Sequence, residues 1–145
     1  MALSLNDLSD APFFTLNGQE GLAKIVKVYD ADTVHALIEV LGTIYKWKCR
    51  IMHVDTPELR TRDENEKRHG YAAKEALSNL ILNRIVKVKC FKFDMYGRVL
   101  VELTVISENE NEEDIVIHEW LLQNGYAHAY EGKTKEKWNF ESNSV

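Results

Sequence analysis

The feature that most constrains the fold is an alternation of apolar and basic side chains along residues 44–52. The apolar positions are Tyr45, Trp47, Cys49 and Ile51, and the basic positions between them are Lys46, Lys48 and Arg50. Because successive side chains of a β-strand point to opposite faces, a period of two predicts a strand with one face in a core. On this strand, Arg50 is expected to project away from the core, beside two lysines.

Four more strands are predicted from runs of β-branched and apolar residues. The first two, residues 22–30 and 33–41, are separated by the turn signal Asp30-Ala31-Asp32 and form a predicted hairpin. The last two, residues 85–92 and 98–106, are joined through a segment containing Gly97, and glycine suits a turn geometry that other residues resist.

Two helices are predicted as well. Residues 70–83 carry apolar side chains at helical spacing, namely Ala73, Ala76, Leu77, Leu80 and Ile81. The charged segment before them, Arg60 to Arg68, is expected to be a mobile loop. A second helix over residues 115–124 is expected to end at Gly125, a C-terminal cap. This element order predicts a mainly β (α+β) domain: a five-stranded Greek-key barrel of the oligonucleotide/oligosaccharide-binding (OB) architecture, with two or three helices.

The net charge of −5 at first opposes a polyanionic partner. Five of the 23 acidic residues fall within residues 108–114, however, so the rest of the chain carries 18 acidic and 18 basic residues. We expect this acidic run to form a solvated turn, with a regulatory or partner-binding patch as the alternative.

Two cysteines, Cys49 and Cys90, are too few for a disulfide framework, and each falls within a predicted strand. Buried free thiols are expected, which favours an intracellular (cytoplasmic) location, with a secreted mature form as the alternative. The apolar runs are far shorter than the ~20 residues of a membrane span, so no membrane association is expected. A length of 145 residues suits one domain, expected to be a monomer without an obligatory protein partner.

Residues suited to chemistry concentrate in three short segments. These are Asp30-Ala31-Asp32-Thr33, the stretch from Arg50 to Glu58, and Asp94-Met95-Tyr96-Gly97-Arg98. Together they supply carboxylates for a hard metal ion, one further carboxylate and two arginines. Phosphodiester hydrolysis demands this set, because a metal and guanidinium groups take up charge on the phosphate while a base activates water. The segments therefore predict a metal-dependent nuclease.

The order and spacing of Asp-x-Asp-Thr, Arg-x4-Asp-Thr-Pro-Glu and Asp-x-Tyr-Gly-Arg resemble the staphylococcal nuclease (thermonuclease) family. The resemblance covers residues 22–130 and leaves an N-terminal segment, 1–21, and a C-terminal tail, 131–145. It implies an OB-fold endonuclease that uses calcium to cleave DNA and RNA, leaving 3′-phosphate ends after water attacks phosphorus.

The same resemblance implies the metal site. Asp32 and Asp55 match the family's metal-binding carboxylates, and Thr56 matches the residue that offers its backbone carbonyl. An all-oxygen set suits calcium, with magnesium or manganese as alternatives, whereas zinc would want histidine or thiolate ligands. The five histidines show no close ligand spacing along the sequence. Taken singly, both aspartates are also ordinary turn residues, and Asp30 is either an orienting residue or part of the turn.

The remaining roles follow from the resemblance in the same way. Glu58 matches the glutamate proposed as the general base that takes a proton from the attacking water. Arg50 and Arg98 match the two arginines that hold the scissile phosphate, a task that suits a planar and permanently charged guanidinium. Tyr96 and Tyr130 are candidates to contact the sugar or base of the nucleotide, with a barrel-closing role equally open for Tyr130.

The chain departs from the family pattern at three places. Ala31 replaces the glycine of most members, Met95 replaces a lysine of the best-known members, and the long C-terminal helix is expected to be shortened or absent. Two alternative functions stay open: a catalytically idle OB-fold module that binds nucleic acid or protein, and an OB barrel that scaffolds protein partners through the acidic run 108–114. Retention of the acidic and arginine positions favours the nuclease.

Overall fold

The structure, a computed structural model, describes residues 4–7, 10–131 and 138. Its strands are β1 (Glu20–Asp30), β2 (Thr33–Val40), β3 (Thr43–Ile51), β4 (Val54–Asp55), β5 (Ile85–Phe93), β6 (Val99–Val105), β7 (Ile115–Val116) and β8 (His128–Ala129). Its helices are α1 (Glu64–Ile81) and α2 (Ile117–Gln123), preceded by a single 3-10 turn at Leu5–Asp7. Of the C-terminal tail predicted over 131–145, all but Glu131 and Trp138 lies outside the described residues.

The five long strands form a closed barrel. Antiparallel pairing runs in the order β3-β2-β1-β5-β6, and a parallel pairing between β3 and β6 closes the ring. The closing contact is short, from Cys49 opposite Val99 to Ile51 opposite Val101. β7 extends the sheet beyond β6, and β4 and β8 form a separate two-stranded sheet. The predicted five-stranded OB-type barrel with helices is confirmed.

The core fills the barrel and the space beneath both helices. Fully buried side chains come from every barrel strand and both helices, including Ile25, Val34, Ile51, Val86, Val101, Leu77, Ile81, Ile117 and Leu121. Each such side chain contributes roughly 1.5–3 kcal/mol through burial. Cys49 and Cys90 are buried and free as predicted. Burial raises the pKa of Cys49 to about 12 and that of Cys90 to about 11, so both thiols stay neutral.

The prediction for the two faces of β3 is wrong at both ends. Tyr45, expected in the core, is 53% exposed, and Arg50, expected to project outward, is only 7% exposed. The reason is that β3 pairs with β6 only over its last three residues, while its first half pairs with β2 alone. The first half is therefore an exposed hairpin arm, and the barrel encloses the strand only from Cys49 onward.

The boundaries of both helices also differ from prediction. Residues 64–68, expected within a mobile loop, form the first turns of α1, because the side chain of Asp63 accepts hydrogen bonds from the backbone of Asn65 and Glu66. Residues 115–116, expected to begin the second helix, instead pair with β6 as β7. Gly125 follows α2 with a φ of +73°, the left-handed conformation expected of a glycine cap.

No helix in the described ranges combines the length and apolarity that crossing a membrane requires.

Candidate active site

Three connections meet at one end of the barrel: the β1–β2 turn, the chain leaving β3, and the β5–β6 turn. They line a cavity of about 940 Å³. Six of the eight predicted site residues contribute to its wall: Asp32, Arg50, Thr56, Glu58, Tyr96 and Arg98. Residues that lie far apart in the sequence therefore converge on one cavity.

Thr33 links the acidic and basic parts of this cavity. Its hydroxyl donates to Asp32 Oδ1 at 3.1 Å and accepts from Arg98 Nη1 at 2.9 Å. The β2–β3 register places Thr33 directly opposite Arg50. Thr33 belongs to the segment Asp30-Ala31-Asp32-Thr33, but the sequence predicted no role for it.

Arg50 is held by the turn that follows it. Its Nη1 donates to the carbonyl of Ile51, and its Nη2 donates to the carbonyl of Val54 at 2.7 Å. The same Nη2 lies 3.5 Å from Asp32 Oδ2. A guanidinium carries five N–H donors, so two carbonyl bonds leave donors available for a phosphate at a fixed orientation.

Arg98 is oriented by the turn that precedes it. The carboxylate of Asp94 accepts from Arg98 Nε at 2.7 Å and from the backbone N–H groups of Tyr96 and Arg98, both at 2.9 Å. Gly97 adopts a φ of +81° within this turn, a conformation that other residues resist. Tyr96 is highly exposed, and its ring lies 5.5 Å from the Arg98 guanidinium carbon.

Asp30 and Asp32, the carboxylate pair, carry unequal charge. Burial and the neighbouring Asp32 raise the pKa of Asp30 to about 7. Burial alone would also raise the pKa of Asp32, but the Arg50 guanidinium and hydrogen bonds from its neighbours outweigh burial and lower it. Below about pH 7 the pair therefore carries close to one negative charge, because burial and the neighbouring Asp32 oppose ionisation of Asp30. A bound hard cation would favour the second negative charge, and the donor chemistry of the pair suits calcium.

Asp55 and Thr56 are both buried at the end of β4. Thr56 lines the large cavity, whereas Asp55 is not part of its wall and sits opposite His128 of β8. The structure therefore brings the Thr56 end of this predicted metal-binding segment to the cavity. The role of Asp55 as a ligand stays a prediction.

Glu58 is exposed at the cavity rim and is steadied by α1. Its backbone N–H donates to Glu66 Oε2 at 2.8 Å. Gly70 also permits a close approach, because a Cβ there would lie 2.9 Å from the carbonyl oxygen of Pro57 and 2.7 Å from a Leu59 methyl. Glu66 and Gly70 are functional candidates that we did not predict, although Asp63-x-x-Glu66 resembles a capping box and signals a helix start.

A second cavity, of about 430 Å³, shares the two arginines with the first. Arg50, Tyr96 and Arg98 line both cavities, and Tyr130 and His53 line only the smaller one. The backbone N–H of Tyr130 donates to the His53 carbonyl at 2.8 Å, and its ring lies 5.9 Å from the Arg50 guanidinium carbon. Tyr130 therefore lies near Arg50 in the smaller cavity, whose wall does not include Asp32.

Basic and aromatic side chains surround the large cavity, which is lined by Lys27, Lys48, Arg60, Lys74, Tyr29 and Tyr71. Two of the lysines lie over tyrosine rings, Lys27 at 5.7 Å from Tyr29 and Lys74 at 6.0 Å from Tyr71. The acidic run 108–114 is an exposed turn between β6 and β7, as predicted. Local charge near the site is therefore better suited to a polyanion than the net charge indicates.

These features define an OB-type barrel protein with a charged candidate active site at its rim, formed by a carboxylate pair, two oriented arginines and an exposed glutamate. The chain belongs to the staphylococcal nuclease family, whose model, described as staphylococcal nuclease homologue, matches residues 48–143.

Relatives from several organisms share this domain. A Methanocaldococcus jannaschii protein named uncharacterized protein MJ1439 is 33% identical over 74% of this chain. Endonuclease YhcR of Bacillus subtilis is 34% identical over 88% of it, and the probable endonuclease LCL3 of Uncinocarpus reesii is 31% identical over 59%. The chain spans 58%, 10% and 27% of these proteins, respectively.

Proposed function

We propose that this domain is a metal-dependent endonuclease that hydrolyses phosphodiester bonds of DNA, RNA or both. The observation that carries the proposal is the link Asp32–Thr33–Arg98, which joins a carboxylate to an arginine within one cavity. Endonuclease names among the relatives and membership of the nuclease family support it.

Two arginines would hold the phosphate of the substrate. Arg50 and Arg98 face the same cavity, and each is fixed by bonds to its own turn, so neither side chain has to be ordered when the phosphate arrives. Their charge would be worth most as negative charge develops on the phosphate oxygens in the transition state.

Glu58 would act as the general base. It lies on the rim of the same cavity, and its backbone is held by Glu66. Its carboxylate would take a proton from the water as the water oxygen bonds to phosphorus and the bond to the leaving oxygen breaks. Tyr96, in the wall of both cavities, and Tyr130, in the wall of the smaller one, would contact the sugar or base of the nucleotide.

Asp32, Asp55 and the carbonyl of Thr56 would hold the metal, with Asp30 as an orienting partner. We propose calcium, because the donors are all oxygen; magnesium and manganese accept the same donor type. A bound divalent cation would supply charge neutralisation for the phosphate.

The competing proposal is a catalytically idle binding module on the same barrel. Both proposals are tested by incubating the purified chain with single-stranded DNA, double-stranded DNA and RNA, each with calcium, magnesium, manganese or chelator. A nuclease cleaves at least one substrate in a metal-dependent manner and leaves internal breaks. Binding of nucleic acid without cleavage under every metal would reject the nuclease in favour of the idle module.

A further inference from the structure

Three side chains that play no part in the proposed nuclease reaction converge beside the smaller cavity. They are His53, in the turn between β3 and β4, Glu102 on β6 and His118 on α2, hereafter the histidine cluster. Each offers a ligand atom, and these atoms all lie within 4.8 Å of one another. The two imidazole rings lie close together, with centroids 4.7 Å apart.

His53 is fixed from both sides. Its Nε2 lies 2.7 Å from Glu102 Oε2, and its Nδ1 lies 3.3 Å from Glu131 Oε1. A histidine that binds a metal commonly presents its other ring nitrogen to a carboxylate, which sets the ring orientation. Glu131 occupies that position for an ion bound between His53 and Glu102.

His118 carries an unused polar atom. Its Nδ1 is buried and has no hydrogen-bond partner within the part of the chain that the structure describes. An unpaired buried nitrogen costs free energy, so its retention next to a histidine and a carboxylate calls for a ligand. A metal ion bound to the cluster would fix the orientation of the His118 ring and provide a polar partner beside its unpaired nitrogen.

We propose that His53, Glu102 and His118 form a binding site for a divalent transition-metal ion of the zinc type. Two imidazoles and one carboxylate are a donor set that suits Zn²⁺, whereas Ca²⁺ prefers an all-oxygen set. Three protein ligands leave a fourth position for water.

Small movements suffice to admit the ion. Ligand atoms about 2.0–2.2 Å from a tetrahedral zinc lie about 3.3 Å from one another. The pair His53 Nε2 and Glu102 Oε2, now at hydrogen-bond distance, would therefore open by roughly half an ångström while the wider pairs close. All three side chains are partly exposed, so the ion has access from solvent.

Zinc at this position would join the β3–β4 turn, β6 and α2. It would stabilise the folded chain, because the unfolded chain lacks a formed site. Since His53 also lines the smaller cavity with Arg50, the ion would sit beside the proposed nuclease site and remain distinct from its calcium ligands. Zinc binding here would hold whether or not the chain cleaves nucleic acid.

The test uses the full chain without a histidine tag, freed of metal and then titrated with Zn²⁺ and, in parallel, with Co²⁺. We expect one Zn²⁺ per chain, a rise in Tm on the order of 5 °C at saturation, and intense visible absorption from four-coordinate Co²⁺. Absence of zinc binding, or only the weak absorption of octahedral Co²⁺, would overturn the proposal.

Variants locate the site. His118→Gln and Glu102→Gln should each weaken zinc binding at least about 100-fold, and Glu131→Gln about 10-fold, as expected for a partner that only orients a ligand. His69→Gln, on α1, is the matched histidine control and should bind Zn²⁺ as the wild type does. Unchanged zinc affinity in both His118→Gln and Glu102→Gln, with circular dichroism showing both folded, would place the ion elsewhere.

Discussion

The carboxylate pair lines the large cavity, the histidine cluster lies beside the smaller one, and the two groups differ in how their charges are balanced. Asp32 has Arg50 as a partner, while burial and the neighbouring Asp32 raise the pKa of Asp30 and disfavour its ionisation. In the histidine cluster, His53 already lies between two carboxylates. The two groups also differ in donor type, because the carboxylate pair offers oxygen atoms alone and the histidine cluster offers imidazole nitrogen as well.

If both proposals hold, one small barrel rim would bind two kinds of cation without sharing a ligand. A hard ion would relieve charge at the carboxylate pair, whereas a zinc-type ion would replace an existing hydrogen bond at the histidine cluster. In the proposed reaction, the two arginines would bind the phosphate. The substitutions that follow test whether the carboxylate pair, the histidine cluster and the arginines act separately.

Of the four substitutions that test this contrast, Arg98→Lys should have the largest effect. An ammonium cannot satisfy Asp94, Thr33 and a phosphate together as the guanidinium fork can, so turnover should fall about 10²–10³-fold. Arg84→Lys is the matched control, because Arg84 is exposed and its Nη1 donates to the Leu80 carbonyl, away from the cavity. Steady-state cleavage by both variants checks the prediction. Equal rates would show that Arg98 takes no part in the reaction.

Asp32→Asn should separate the two cation sites. We expect calcium-dependent cleavage to fall about 100-fold, because the substitution removes a charged oxygen ligand proposed for the metal. Zinc affinity should stay within about threefold of wild type, since Asp32 lies outside the histidine cluster. Calcium titrations of cleavage and zinc titrations of binding provide the two measurements. A loss of zinc affinity alongside the loss of calcium-dependent cleavage would show that the two cations share one site.

Gly70→Ala should displace the segment that carries Glu58. The added Cβ would meet the Pro57 carbonyl oxygen at 2.9 Å, so the backbone of this segment must shift. We expect turnover to fall about 10-fold, because catalysis is sensitive to small errors in position. Gly21→Ala on β1 is the control, with no atom within 4 Å of its new Cβ. If both variants cleave at the same rate, packing against α1 does not position Glu58.

Asp30→Asn should stabilise the metal-free chain at high pH. Because the pKa of Asp30 is raised in the folded state, its ionisation destabilises the fold progressively between about pH 4 and pH 7 and fully above that. The variant should therefore gain on the order of 1 kcal/mol in unfolding free energy at pH 8 and nothing at pH 4. Denaturant unfolding in chelator at both pH values tests this, and a gain independent of pH would contradict it.

The sequence predicted those features whose signals are local. The carboxylate pair lies two residues apart in a turn, and Asp94 and Arg98 belong to one short segment, so their chemistry was visible before folding. The strands of the barrel were likewise predicted from their own alternation and turn residues. Barrel class and family membership both followed from these segments and are confirmed.

Features set by distant partners could not be predicted in the same way. Arg50 is buried because β6 closes the barrel beside the end of β3, a contact that the alternation of β3 does not encode. His53 and Glu102 lie 49 residues apart in the sequence. Because only the closed barrel brings them into contact, no short-range sequence pattern predicts the pair. The first turns of α1 were missed because their charge indicated a loop, although Asp63 supplied a cap.

The most direct test of the central claim is single-turnover cleavage by Glu58→Gln beside wild type, with calcium and excess enzyme. Glu58 is exposed, so the fold should be unaffected, and Glu75→Gln on α1 provides the matched control. We expect the cleavage rate to fall about 10²–10⁴-fold while nucleic-acid affinity stays within about threefold, as for loss of a general base. A cleavage rate equal to that of wild type would contradict the assignment of Glu58 as the base.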